Sequence, residues 1–379
     1  MSGDALSRKS GSICTSLRAH ACAAGHIRRR ARARPDSLTS VSSSDWPKTR
    51  LHVVTGKGGT GKSTVAAALA LALASTGKRV LLCEVEGRQG IAQLFDVPPL
   101  PYEERRIATG LFTEGGQQPG EVYALHIDAE SAFLEYLSMY YKLGRAGKAL
   151  DRFGVIEFAT TIAPGVRDVL LTGKVFEAAK TARRKGTSSK DRHGYDAIVL
   201  DAPPTGRITQ FLNVNGELAG LAKVGPIKAQ ADTVMTLFRS PQTAIHLVTV
   251  LEEMPVRETA DGIAELHKAA LPVGGVVVNL VRPRDIEATE LDAIRSDEVD
   301  RSAIAAALTS AGVDADDALV TSLLDEARDH AERRALEDSQ RTLIADLGVP
   351  TYELPRVAGG LDIGGLYELA GLLREQGLA

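Results

Sequence analysis

From Leu51 onward, short β-branched and apolar runs alternate with stretches of helical period, the pattern of a largely parallel sheet with helices on its faces. Strands are expected over 51–55, 79–85, 122–127, 197–201, 245–251, 275–280 and 351–354. Most of these runs are apolar without interruption, as in strands covered on both faces. The segment 95–120, with Pro98, Pro99 and Pro101, reads as loop, and the chain has room for helical insertions near 129–194 and 214–243. Residues 284–347 are polar and acid-rich, with Ala and Leu at the spacing of surface helices. The expected fold is an α/β, doubly wound, mainly parallel sheet flanked by helices. No internal repeat is visible. The longest apolar run, 65–74, falls short of the ~20 residues of a membrane span and reads as a core helix.

Charge separates the beginning of the chain from the rest. The first 50 residues carry ten Lys plus Arg against three Asp, whereas all 379 residues together have a net charge of −3. This segment holds Arg28, Arg29, Arg30, Arg32 and Arg34 and a serine-rich stretch, and has no hydrophobic period to offset the entropy of ordering. Residues 1–48 are therefore expected to be a disordered basic tail, with an Arg-rich transit peptide as the rival reading, and 49–379 the folded domain. Aromatics are only 4% of the chain, so neither a stacking platform nor a basic surface for nucleic acid is expected. Cys14, Cys22 and Cys83 form no C-x-x-C pair, which argues against zinc and against a disulfide framework and fits a reducing compartment. A cytoplasmic protein is expected, either free or held peripherally at a membrane through a partner.

The candidate chemistry lies between the first strand and the core helix. Gly56-Lys57-Gly58-Gly59-Thr60-Gly61-Lys62-Ser63, followed by Thr64, fits G-x-x-x-x-G-K-[ST]. Such a loop turns successive backbone N–H groups toward phosphate oxygens at a helix N-terminus, with Lys62 reaching the terminal phosphates and Ser63 ligating Mg²⁺. Gly56, Gly58 and Gly61 also satisfy the dinucleotide pattern G-x-G-x-x-G, and Glu84 lies about twenty residues on, as a nicotinamide fold would need. Lys62-Ser63 favours a nucleoside triphosphate over that reading. So does the run 195–201, an apolar strand ending in Asp201, where an acid supports the metal through water.

Taken together, these residues resemble the deviant Walker A ATPases, and among them the family of the arsenical pump-driving and tail-anchored-protein-targeting ATPases. Lys57 is similar to that group's signature lysine. Asp201-Ala202-Pro203-Pro204-Thr205-Gly206-Arg207 resembles the family's D-T-A-P-T-G-H switch segment, with Arg207 in place of His. Pro164-Gly165-Val166-Arg167-Asp168 resembles its P-G-x-x-E, and Glu258-Thr259 follows a strand as in the family. The resemblance implies Mg²⁺-dependent ATP hydrolysis by a homodimer, or a dimer with a paralogous ATPase, in which Lys57 reaches the partner's nucleotide. It implies a P-loop NTPase fold and a protein cargo or membrane partner of unknown identity.

Alignment on Phe95 places Glu86-Gly87 over the family's Asp-Pro, which makes Glu86 the candidate for orienting the attacking water and Glu84 its rival. The resemblance also places Asn279 at the adenine, with Pro355 in a loop that walls the base. The zinc-bridging C-x-x-C and the methionine-lined groove known in the family are absent, with only four Met in the chain. Two other classes stay open: a partitioning or septum-positioning switch, and a nucleotide-binding regulatory subunit with little turnover. A membrane-docking helix is weakly supported, because 366–378 has leucines at helical spacing but few cations.

Overall fold

The computed structural model describes residues 44–85, 89–112, 118–141, 164–180, 194–213 and 226–379, and elements are numbered in chain order among these. The described residues divide into two compact units, one formed by 44–282 together with 342–379, the other by 283–341.

The larger unit is built on an eight-stranded sheet of order β3-β4-β2-β5-β1-β6-β7-β8. Its strands are β1 (Leu51–Gly56), β2 (Val80–Glu84), β3 (Arg105–Thr109), β4 (Glu121–His126), β5 (Ala197–Asp201), β6 (Thr243–Thr249), β7 (Val273–Val281) and β8 (Thr351–Pro355). All pairings are parallel except β3 with β4. The chain winds from β1 out to one edge, returns through β5 and continues to the other edge. The direction of winding therefore reverses about β1, and in such sheets that is where ligands bind, beyond the strand C-termini.

Side chains alternate between two cores. Leu51 and Val53 of β1, Leu81 and Cys83 of β2, and Ile198 and Leu200 of β5 face one core. It is completed by side chains of α4 (Pro164–Lys180), α5 (Thr205–Leu212), α6 (Pro226–Phe238) and α7 (Glu253–Lys268). Val54, Val80, Leu82, Ala197 and Val199 face the other, against α1 (Lys62–Ser75) and α11 (Ile363–Glu375). Helix α1 is buried from Val65 to Ser75 on every side, because the sheet lies beneath it and α11 packs over it. That explains a helix without a polar stripe. A short helix α2 (Gly90–Leu94) follows β2, and α3 (Ala129–Tyr141) follows β4. Helices α3 and α4 fall in the first expected range and α6 in the second, whose last residues 239–243 lead into β6; residues 142–163, 181–193 and 214–225 lie outside the described residues.

Two strand expectations need correction. The segment 95–120 is not all loop, since β3 lies inside it as an antiparallel edge strand. Its sequence Arg-Arg-Ile-Ala-Thr lacks a buried apolar run because edge strands carry charge, here Arg106 paired with Glu121 at 2.8 Å, and a bulge interrupts the pairing between Arg106 and Ala108. Strand β6 also begins and ends two residues earlier than the apolar run suggested: Thr243 is buried and pairs with Leu51, whereas Leu251 is buried from the loop beyond.

Of the expected tail, 1–43 lies outside the described residues. Residues just before β1 are held: the Asp45 N–H donates to Gly377 O at 2.8 Å, Trp46 Nε1 donates to the Tyr352 hydroxyl at 3.1 Å, and that hydroxyl donates to Asp45 Oδ2 at 2.6 Å.

The smaller unit consists of α8 (Ala288–Arg295), α9 (Arg301–Ser310) and most of α10 (Asp317–Ala345), whose last residues belong to the larger unit. Ile304, Val320 and Leu324 form its core. Asp300 caps α9 by accepting from the Ser302 and Ala303 N–H groups. Among the described residues no helix is long and apolar enough to cross a membrane.

Candidate functional site: a phosphate loop at the strand ends

The expected loop forms the turn between β1 and α1. Gly56, with φ 152°, passes so close to β6 that a Cβ would lie 2.2 Å from Val248 O, so only glycine serves. At the other end Gly61 is left-handed, with φ 87°, and occupies the N-cap of α1 without a side-chain cap. The first turn of α1 also lacks an acidic residue, so its amide N–H groups and partial positive charge are directed at an incoming anion. Gly58 and Gly59 are exposed at the crest, Thr60 is buried, and Lys62, Ser63 and Thr64 are half-buried. The loop is closed from within, as Thr60 Oγ1 donates to Lys57 O at 2.9 Å and Lys62 Nζ to the same carbonyl at 3.5 Å.

The two residues expected at a metal, Ser63 and Asp201, are brought into contact. Ser63 Oγ donates to Asp201 Oδ2 at 2.5 Å, across 138 residues of sequence, because β1 and β5 are neighbours that end together. A hydroxyl and a carboxylate in direct contact beside a phosphate loop make a hard, all-oxygen donor set. It fits Mg²⁺, which binds one or two protein oxygens and keeps waters and phosphates for the rest. Ser63 would hold the ion directly and Asp201 through water. The segment after Asp201 is fixed to β1 by Ala202 N–H donating to Val54 O at 2.9 Å and Thr55 Oγ1 to Pro203 O at 2.7 Å. Beyond it Arg207, at the start of α5, stands 3.8 Å from the buried Asp168 of α4.

Lys57 is paired within its own chain, its Nζ lying 2.9 Å from Glu258 Oε1 on α7. Both side chains are about one-third exposed, at 32% and 37%, so this is a surface ion pair that exchanges readily for another partner. Asn279, at the end of β7, is brought to the loop: its Nδ2 donates to Thr60 O at 2.9 Å. This contact explains why position 61 is glycine twice over, since a Cβ there would meet Asn279 Nδ2 at 2.3 Å. The bracing role was not legible in the sequence, where only a strand-end amide is visible. Pro355 closes β8 beside it, with Arg356 N–H donating to Val281 O at 2.9 Å.

Glu86 lies outside the described residues. Its rival Glu84 is the last residue of β2, buried, and accepts from the Gly90 N–H at 2.7 Å. The preceding Cys83 is fully buried, and burial, with the Glu104 carboxylate adding to it, pushes its thiol well above the ordinary range, so it is no reactive thiolate. Among the described residues no cluster of three or more His, Cys, Asp and Glu could hold a metal.

A parallel sheet that reverses about β1, a glycine-rich turn into a helix, and a Ser–Asp pair beneath it define a P-loop nucleotide hydrolase. Comparison with known proteins narrows the class. Residues 49–240 match the family described as anion-transporting ATPase. ATPase BagA of Mycobacterium tuberculosis is 52% identical over 341 residues, covering 89% of this chain and 97% of that protein. The arsenical pump-driving ATPase of Escherichia coli is 25% identical over 268 residues, 66% of this chain and 42% of that protein. ATPase GET3B of Arabidopsis thaliana is 24% identical over 285 residues, 62% and 65% of the two chains. The chain belongs to the anion-transporting ATPase family and is an ATP hydrolase.

Proposed function

We propose that this protein is a Mg²⁺-dependent ATPase that works as a nucleotide-switched dimer, of two copies or with a paralogous ATPase, and drives a partner or cargo protein. The observation that carries the reading is the Ser63–Asp201 contact beneath the free N-terminus of α1: a phosphate cradle and a metal support in one place. Bound Mg²⁺ would neutralise charge on the β- and γ-phosphate oxygens. Backbone amides 58–63 orient the triphosphate, Lys62 stabilises the terminal phosphates, Asn279 and Pro355 flank the base, and Glu86 orients the attacking water. Lys57 leaves Glu258 and supplies a second cation to the nucleotide of the other subunit, where charge develops on the leaving group.

One further feature supports the dimer and another the switch. Met254, one turn before Glu258 on α7, and Leu280, next to Asn279, are 54% and 48% exposed on the rim that carries Lys57. Apolar side chains beside a charged, partner-seeking lysine are what a second copy would cover. Asp201 and the Arg207–Asp168 contact link the nucleotide to α4, a route by which hydrolysis would move the helical insertion. Tail-anchored cargo and metalloid sensing are both poorly supported. The chain has few Met, Cys83 is inert in the core, and Cys14 and Cys22 lie outside the described residues.

Phosphate release from ATP, measured by malachite green, tests the reading alongside light scattering with and without Mg·ATP. Wild type is expected to hydrolyse ATP and to dimerise with nucleotide. Lys57→Ala should keep nucleotide binding and lose at least ~100-fold in turnover, the scale of a removed charge-stabilising group. Full turnover in Lys57→Ala, or a monomer throughout, would overturn the dimeric mechanism.

A further inference from the structure

Beside the Ser63–Asp201 pair stands a second carboxylate that the mechanism above does not use. Glu84 ends β2 directly across from Asp201, in parallel register with it. Neighbouring strands lie about 4.8 Å apart, so the two acids emerge side by side at the same end of the sheet. Glu84 is 2% exposed, and a buried carboxylate is retained only when donors hold it. Two do: the Gly90 N–H reaches Oε1 at 2.7 Å, and His126 Nδ1 lies 3.3 Å from Oε2. The histidine arrives by strand register as well, since Glu84 and His126 are opposed partners at the ends of β2 and β4.

Glu84 and Ser63 converge on one small space. A Cβ built on Gly90 would lie 3.4 Å from Glu84 Oε1 and 3.8 Å from Ser63 Oγ. With glycine at residue 90, no side chain from that position enters the space. Mg²⁺ gives up its water reluctantly, so a site with one protein hydroxyl and two phosphate oxygens still holds several waters, each needing an oriented acceptor.

We propose that Glu84, aligned by His126 and the Gly90 amide, is a positioning residue of the metal site that accepts a hydrogen bond from a metal-bound water next to the one held by Asp201. The hydrated ion is then gripped by carboxylates from two adjacent strands. The ring of His126 fixes which Glu84 oxygen faces the water, as outer partners orient the groups around a metal. This inference rests on the Mg²⁺-ATP reading of the loop.

The test uses the full chain and a fluorescent ADP, with Mn²⁺ as the ion, and reads the factor by which Mn²⁺ tightens nucleotide binding relative to EDTA. Glu84→Gln, which keeps the shape and the Gly90 contact, should reduce that factor about 10-fold while leaving the EDTA affinity unchanged. His126→Gln should move it in the same direction by less. An unchanged factor in both variants would overturn the proposal and leave Glu84 a purely structural acid. A wild-type protein whose nucleotide affinity ignores Mn²⁺ would overturn the Mg²⁺ reading itself, and this inference with it. Should Glu84→Gln also lose metal-free binding, His126→Gln decides the matter, because it leaves the carboxylate in place but unaligned.

Discussion

Asn279 shows how one side chain can serve a role that its type does not announce. A strand-end amide next to a nucleotide loop suggests base recognition, since it offers a donor and an acceptor together. In the fold one of its N–H groups goes to Thr60 O, where it sets the carbonyl just before the left-handed Gly61. The amide therefore shapes the phosphate cradle, and its loss should be felt by any nucleotide. Asn279→Ala is expected to weaken ATP and GTP binding alike, by roughly 5- to 10-fold, the cost of leaving a buried carbonyl unmet. Equilibrium titration with both nucleotides checks this. A loss confined to ATP would mean that the side chain reads adenine and that the Thr60 contact is incidental.

At the level of elements, α1 couples the loop to the core. Leu69, Leu71 and Leu73 are essentially unexposed, so the helix whose N-terminus faces the glycine-rich loop cannot tilt without disturbing both the sheet and α11. Leu71→Ala is expected to cost about 2–5 kcal/mol of stability in denaturant unfolding, and a loss under 1 kcal/mol would show that the site can collapse around the missing methyls. Elements of this kind were legible in the sequence because burial on all sides leaves an uninterrupted apolar run. The phosphate loop was legible for another reason, its residues being consecutive. What escaped reading depends on long-range register. Strand β3 is hidden because an edge strand with Arg105 and Arg106 has no apolar face to display. The Lys57–Glu258 and Glu84–His126 contacts join positions far apart, brought together only when the order of the strands is known. The sequence shows that β2 ends in an acid and β4 in a histidine, but not that the two strands are neighbours.

For the molecule as a whole, the same sheet carries a second polar pair deep in the core that α1 and α11 share. His52 of β1 and His246 of β6 are both fully buried, with their rings stacked at 5.4 Å and His52 Nδ1 lying 3.1 Å from His246 Nε2. The Gly275 N–H can only donate, and it reaches His246 Nδ1 at 3.1 Å. His246 must then carry its proton on Nε2 and donate to His52 Nδ1, so both rings are neutral as folded. Burial holds His246 down at about 3 and His52 well below its ordinary value, with the neighbouring His246 adding to the effect on His52. The unfolded chain binds a proton at each ring below about 6.5, so it takes up more protons than the native state throughout the window beneath that value. Stability is therefore complete above about pH 6.5 and declines as pH falls toward the depressed folded values, at up to ~1.4 kcal/mol per pH unit for each ring. Urea unfolding at pH 7.5 and 5.5 should differ by about 2–3 kcal/mol from this pair. Replacing both rings, as His52→Gln with His246→Gln, should flatten the dependence whatever it does to the absolute stability. An undiminished slope in that double variant would assign the acid sensitivity to other groups and leave the buried pair thermodynamically silent.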